Sequence, residues 1–228
     1  MTFLMDFKQN FIEEDRWKFI LNGLGVTLRV TLFAVLIGIA IGFVVAVIRA
    51  TYEKTGKLVI CNFLANVYLT VIRGMPVVVQ LLIIYFVIFA SVRVDKIFVA
   101  IIAFGINSGA YVAEIVRSGI MSIDPGQMEA GRSLGFNYIE TMWYIIIPQA
   151  FKNVLPALGN EFIVLLKETS VAGYIALEDL TKGGDIIRSQ TYHPFMPLLA
   201  VAAIYLAIVM LLSFLLKNLE RRLRNSER

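Results

Sequence analysis

The stretch E-A-G-R-S-L-G-F-N-Y-I-E-T-M-W-Y-I-I-I-P, residues 129–148, is a polar interruption in an otherwise apolar chain. Asp124-Pro125-Gly126-Gln127, just before it, reads as a helix start. Asp124 takes the N-cap, Pro125 the first helical position, and Gln127 can complete a capping box. Gly135 supplies a stop. The spacing therefore predicts a helix of about ten residues, too short to hold its shape alone in water. Ala130 and Gly131 allow close approach to its backbone, and Glu129 and Arg132 place opposite charges at i,i+3. Such a helix requires a partner.

The chain around it is built for lipid. Of 228 residues, 58% are hydrophobic and only 17% are charged, with a mean hydropathy of +0.76. Soluble domains carry roughly a quarter charged residues and less than half apolar ones. The net charge of +4 does not indicate nucleic-acid binding, because the basic residues flank apolar runs as the positive-inside rule requires. One cysteine, Cys61, excludes an intrachain disulfide, and one histidine, His193, excludes a His-rich metal centre. Gly56-Lys57-Leu58 lacks the upstream glycine and the Ser/Thr of a Walker A loop, so no nucleotide site is expected on this chain. The acidic residues Asp6, Glu13, Glu14 and Asp15 argue against a cleaved signal peptide.

A membrane-spanning helix needs roughly twenty predominantly apolar residues. Five segments qualify in the reading of the sequence, at about 24–48, 77–91, 97–121, 142–166 and 197–216, within one transmembrane domain covering 1–228. The run from Leu58 to Val92 is split because Arg73 at mid-bilayer would cost several kcal/mol, of the order of 3. Residues 58–72 are accordingly expected to be interfacial or partly inserted. Gly38 and Gly42 have G-x-x-x-G spacing, which either packs two helices closely or is incidental. With the carboxy terminus inside, five spans place the amino terminus outside. Arg49, Lys54, Lys57, Arg73, Arg132, Lys217, Arg221, Arg222, Arg224 and Arg228 then face the cytoplasm, together with the helix expected at 125–135.

With that topology in hand, the motifs match a known pattern. Glu129-Ala130-Gly131, Gly135 and Ile145-x-Ile147-Pro148 resemble the cytoplasmic E-A-A loop of ABC importer permeases, with Gly131 for the second alanine and Ile147 for leucine. Arg73-Gly74-Met75-Pro76-x-x-x-Gln80 is similar to the R-G-T-P-x-x-x-Q segment of the polar amino acid permeases, the histidine, glutamine and arginine type. Met75 replaces threonine there. Tyr111-x-x-Glu114-x-x-Arg117 and Leu155-Pro156-x-Leu158-Gly159-Asn160-Glu161-Phe162 follow the same subfamily, in order along residues 20–218.

This resemblance implies an all-α membrane protein: five transmembrane helices of the type I ABC importer permease fold, with a cytoplasmic coupling helix. It implies a prokaryotic inner-membrane subunit that is not itself an enzyme. ATP and Mg are expected on partner ABC ATPase subunits. The other implied partners are a second permease subunit, identical or related, and an extracytoplasmic solute-binding protein. The expected substrate is a polar amino acid, and alternating access is the expected mechanism.

Within that frame Gln127, Glu129, Ala130, Gly131, Arg132, Leu134 and Gly135 are expected to contact the ATPase. Asn107, Ser108, Tyr111, Asn160, Glu161, Thr169 and Ser170 are expected to bind substrate. Glu161 either accepts the cationic end of a substrate, favouring a basic amino acid, or pairs with Arg117 or Lys167 between helices. Asn107 and Tyr111 either line the cavity or join helices. Glu114 and Arg117 are expected to form an internal ion pair. Two other functions compete. An ion-driven secondary transporter would leave the 125–135 helix without a role, and a membrane enzyme lacks any nucleophile–base pair or ligand set.

Overall fold

The computed structural model describes residues 3–225 and is helical, with no strand among the described residues. Arg228 lies outside them. Ten α-helices follow in order: α1 (Phe3–Phe7), α2 (Trp17–Thr55), α3 (Val59–Gly74), α4 (Val77–Ile83), α5 (Lys96–Met121), α6 (Pro125–Ser133), α7 (Tyr138–Thr141), α8 (Ile147–Glu168), α9 (Leu180–Thr191) and α10 (Phe195–Asn225). Short π-helical turns extend α1, α4 and α7 at Lys8–Ile12, Ile84–Ile88 and Met142–Ile146.

Among the described residues α2, α5 and α10 are each long and apolar enough to cross a membrane. At 39 residues α2 runs well past the apolar stretch 24–48, to about 58 Å at 1.5 Å per residue. No proline interrupts it, and the helix stops before Gly56, whose φ is +68°. The chain breaks again between Gly74 and Val77, where Pro76 caps α4, so α3 and α4 count as a crossing only when taken together. The helix over the expected span 142–166 is α8 and its preceding π turn. It does not join α2, α5 and α10 as apolar enough to cross by composition alone, because it carries Lys152, Asn153, Asn160 and Glu161. Pro148 has no N–H, and the π turn directly before it absorbs that loss.

The chain packs as two compact units. One comprises the segment up to Val35, Met75–Gly105 and Phe162–Phe214. The other comprises Leu36–Gly74, Ile106–Glu161 and the chain from Leu215. In the second unit small residues set the spacing of α2 and α5. A Cβ added at Gly42 would come within 2.5 Å of Val112 Cγ1, and one at Gly38 within 2.9 Å of Ser108 Cβ. The G-x-x-x-G pair is therefore a packing seam. Ala46, Ala50, Val112, Val116, Ile120, Ile146, Ala150 and Val154 form the core beside it.

In the first unit Ile20, Leu180, Ile187 and Val201 are buried together. Asp179 caps α9 there, outside the segments read as spans, accepting from Lys182 N at 2.9 Å and Thr181 N at 3.3 Å. Only 1% of Asp179 is exposed. Burial pushes its carboxyl up to about 6, outweighing the backbone N–H groups that favour the charged form. A value raised on folding means that this carboxyl's contribution to stability is fully present below the unfolded value of 3.8 and is lost as pH rises through about 6. Asp179→Asn keeps the cap and removes the charge. It is expected to stabilise the protein at pH 7 by up to about 3 kcal/mol, with the gain vanishing near pH 4. Denaturation midpoints of both proteins between pH 4 and pH 8 check this; a pH-independent difference would refute it.

Candidate functional site

The polar segment folds into a capped helical elbow. Asp124 Oδ1 accepts from Gly126 N at 2.6 Å, and Pro125 occupies the first turn of α6. The capping box expected at Gln127 is not the arrangement found. Asp124 binds the second helical N–H, and Gln127 Oε1 accepts from Gln149 Nε2 at 3.4 Å. The reciprocal box occurs at the next helix: Asn137 Oδ1 accepts from Glu140 N at 3.0 Å and Glu140 Oε2 from Asn137 N at 2.8 Å. The N-x-x-E signature at 137–140 is its mark in the sequence.

Helix α6 ends at Gly135, whose φ of +93° only glycine adopts without strain. Phe136 N donates to Gly131 O at 3.2 Å and Gly135 N to Arg132 O at 3.0 Å, the paired bonds of a Schellman motif. Glu129, Ala130 and Arg132 are exposed, and Leu134 and Ile139 are 78% and 75% exposed. Gly131, expected to offer packing surface to a partner, is buried instead. An added Cβ there would lie 2.6 Å from Thr141 Cγ2 and 3.0 Å from Ile145 Cδ1. The close approach it permits is made by this chain's own next helix.

The second unit also holds a cavity of about 510 Å³, lined by Arg73, Tyr111, Glu114, Ser118, Asn153 and Glu161 among others. The buried carboxylate of Glu161 accepts from Ser108 Oγ at 2.8 Å, joining α8 to α5. Glu114 and Arg117 form the expected ion pair at 2.7 Å. Arg117 also reaches Glu53 at 3.5 Å, and Arg49 reaches Glu114 at 2.8 Å, so the pair belongs to a cluster joining α2 and α5. Arg73 adds α3 to that cluster. Arg73 also lines the cavity, a residue not among the expected substrate contacts, and its signal in the sequence is the polar break at Arg73-Gly74-Met75-Pro76.

The remaining candidates separate. Asn107 is buried, Tyr111 lines the cavity with Glu161, and Asn160 is exposed with its Nδ2 3.3 Å from Pro156 O. Thr169 and Ser170 belong to the first unit. The Thr169 hydroxyl is buried and donates to Leu166 O at 2.8 Å. Ser170 lines another cavity, of about 440 Å³, with Tyr174, Lys182 and Asp185. No group of three or more His, Cys, Asp or Glu side chains among the described residues is arranged to hold a metal ion.

An all-helical chain with membrane-length helices and a short, capped, exposed helix between two of them has the architecture of a membrane permease. Residues 38–225 match the binding-protein-dependent transport system inner membrane component, and the chain belongs to that family of ABC importer permeases. It is 42% identical over 168 residues to the glutamine transport system permease protein GlnP of Escherichia coli K12, covering 72% of this chain and 77% of that protein. It is 37% identical over 211 residues to the arginine transport system permease protein ArtQ of Bacillus subtilis strain 168, covering 92% and 94%. Among solved structures, an amino acid ABC transporter with histidines matches with a TM-score of 0.85 at 42% identity, covering 97% of this chain and 99% of that one. The inward-facing MetNI methionine ABC transporter shares the fold, with a TM-score of 0.75 at 18% identity and coverage of 92% and 99%.

Proposed function

We propose that this chain is the permease subunit of an ATP-driven importer of polar amino acids, working by alternating access. The observation that carries the reading is the capped, exposed helix α6 in a family of binding-protein-dependent permeases. A nine-residue helix held by Asp124 and the Schellman turn is a rigid lever rather than a flexible loop. ATP binds on separate ATPase subunits and closes them, and α6, seated on one of them, follows. The attached membrane helices then change from inward-open to outward-open as rigid bodies. ATP drives the cycle through its different affinity for the two ATPase arrangements.

The five spans at about 24–48, 77–91 (a crossing completed through the bent pair of α3 and α4), 97–121, 142–166 and 197–216, with the amino terminus outside, put α6 in the cytoplasm and α9 on the outer side. A solute-binding protein delivers substrate there, and a second permease completes the pathway. Glutamine and arginine in the names of relatives, and histidine beside a solved relative, support a polar amino acid. Glu161, buried on the wall of the 510 Å³ cavity, supplies the charge that favours a basic one. That volume lies within the roughly 300–1,000 Å³ of small-molecule sites.

Glu129 is the exposed anionic group of the lever and contacts the ATPase. Glu129→Lys is expected to reduce uptake by the reconstituted transporter at least about tenfold, through like-charge or unpaired contact in the interface. Co-purification of the ATPase and uptake rate are measured together. Intact assembly with uptake at the wild-type rate would remove Glu129 from the coupling contact.

A further inference from the structure

The cavity beside Glu161 has a cationic side that the function described so far leaves unused. Arg73, in the last turn of α3, lines it, with its guanidinium carbon 5.7 Å from the centroid of the Tyr111 ring. Three arginines surround Glu114, and Arg73 is held the least. Arg49 and Arg117 reach one carboxylate oxygen each, at 2.8 and 2.7 Å, whereas Arg73 stands 4.0 Å away. The side chain of Arg73 is 44% exposed, against 19% for Arg49 and 23% for Arg117.

The charge count points the same way. Arg49, Arg73 and Arg117 face the two carboxylates of Glu53 and Glu114, a surplus of one positive charge. Arg49 and Arg117 make the closer contacts to Glu114 and are the two that also reach Glu53, so those two charges balance two carboxylates and the surplus rests on Arg73. A guanidinium resting near an aromatic face and open to a cavity is suited to a planar anion that accepts two parallel hydrogen bonds. A carboxylate has that geometry.

We infer that Arg73 binds the α-carboxylate of the amino acid held in this cavity, while Glu161 takes its cationic group. This rests on the assignment of the cavity to substrate. Arg73 then reads the part common to all amino acids, and discrimination among side chains falls to the other walls.

The test uses the purified complex of permease and ATPase without binding protein. Binding of radiolabelled arginine and glutamine is compared with that of their decarboxylated analogues, agmatine and 4-aminobutanamide. Wild type is expected to bind the amino acid of a pair at least about tenfold more tightly than its amine. R73Q is expected to weaken the amino acid to the level of the amine and leave the amine unchanged. R73K keeps the charge but loses the fork, and an intermediate loss confined to the amino acid is expected; it also serves if R73Q does not assemble. Glu161→Gln is expected to weaken both members of a pair. An arginine variant that binds both like wild type, or weakens both equally, overturns the role of Arg73, and the cavity assignment still stands if Glu161→Gln weakens both. Wild type that binds neither amino acid, or a Glu161→Gln variant that leaves both members unchanged, overturns the cavity assignment itself.

Discussion

Gly42→Leu is expected to abolish recovery of a folded permease. A Cβ at this position would lie 2.5 Å from Val112 Cγ1, 2.6 Å from Val112 Cβ and 2.8 Å from the backbone nitrogen of Ala113. Backbone cannot rotate away as a side-chain end can, so the only relief is to push α2 off α5. That movement opens the contacts of Ala46 and Ala50 in the core they share with Val112 and Val116. It also stretches the 2.8 Å ion pair between Arg49 and Glu114, which bridges the same two helices. Overpacking one core site costs about 1–3 kcal/mol, and leucine brings three further carbons into the seam. Losses of that size at several linked contacts approach a whole domain's stability of about 5–15 kcal/mol. Yield and monodispersity on size-exclusion chromatography are the measurements. Gly74→Ala serves as the control, because an added Cβ there meets nothing within 4 Å. Gly42→Leu that purifies and transports like wild type would show that the seam is not needed.

What the sequence disclosed followed from the range of each signal. Pro125, Asp124 and Gly135 act on backbone within a turn or so of themselves, and the helix they predict forms between them. The break at Gly74–Pro76 is equally local, since proline bars the preceding turn from continuing. The seam at Gly38 and Gly42 was ambiguous because glycine spacing shows that close approach is possible but does not name the surface approached. Gly131 illustrates the same limit, with small size read correctly and its partner misjudged. The pair Ser108–Glu161 spans 53 residues of sequence, and Arg49–Glu114 spans 65. No local pattern selects Ser108 over Arg117 as the partner of Glu161. The Glu114–Arg117 pair was legible because three residues along a helix bring two side chains onto one face. The polarity of α8 follows from the same logic: residues facing a cavity or a neighbouring helix lower the apolar average that marks lipid-facing spans.

Gly131→Leu is expected to cut uptake by about ten- to hundredfold while the permease remains folded, a loss matching the 1–3 kcal/mol of local overpacking. The site is closed by side-chain ends: Thr141 Cγ2 at 2.6 Å, Thr141 Oγ1 at 3.0 Å and Ile145 Cδ1 at 3.0 Å from an added Cβ. Ile145 can shift its terminal methyl a few tenths of an ångström, so Gly131→Ala should cost no more than about a fewfold in rate. Thr141 has less freedom, because it is fully buried and its hydroxyl donates to Asn137 O at 2.9 Å. A leucine must therefore lift α6 away from α7. Lifting α6 strains the bond from Phe136 N to Gly131 O that closes its last turn. Once unseated, nine residues are too few to remain helical by themselves. Glu129, Ala130 and Leu134 would then lose the fixed spacing through which the ATPase is proposed to move the permease. Uptake and ATP hydrolysis by the reconstituted transporter should part company: basal hydrolysis persists, and its stimulation by loaded binding protein disappears. Uptake by Gly131→Leu at the wild-type rate would mean that the lever does not need its seat. Loss of both hydrolysis and assembly would instead place Gly131 among the residues that hold the ATPase on, rather than those that transmit its motion.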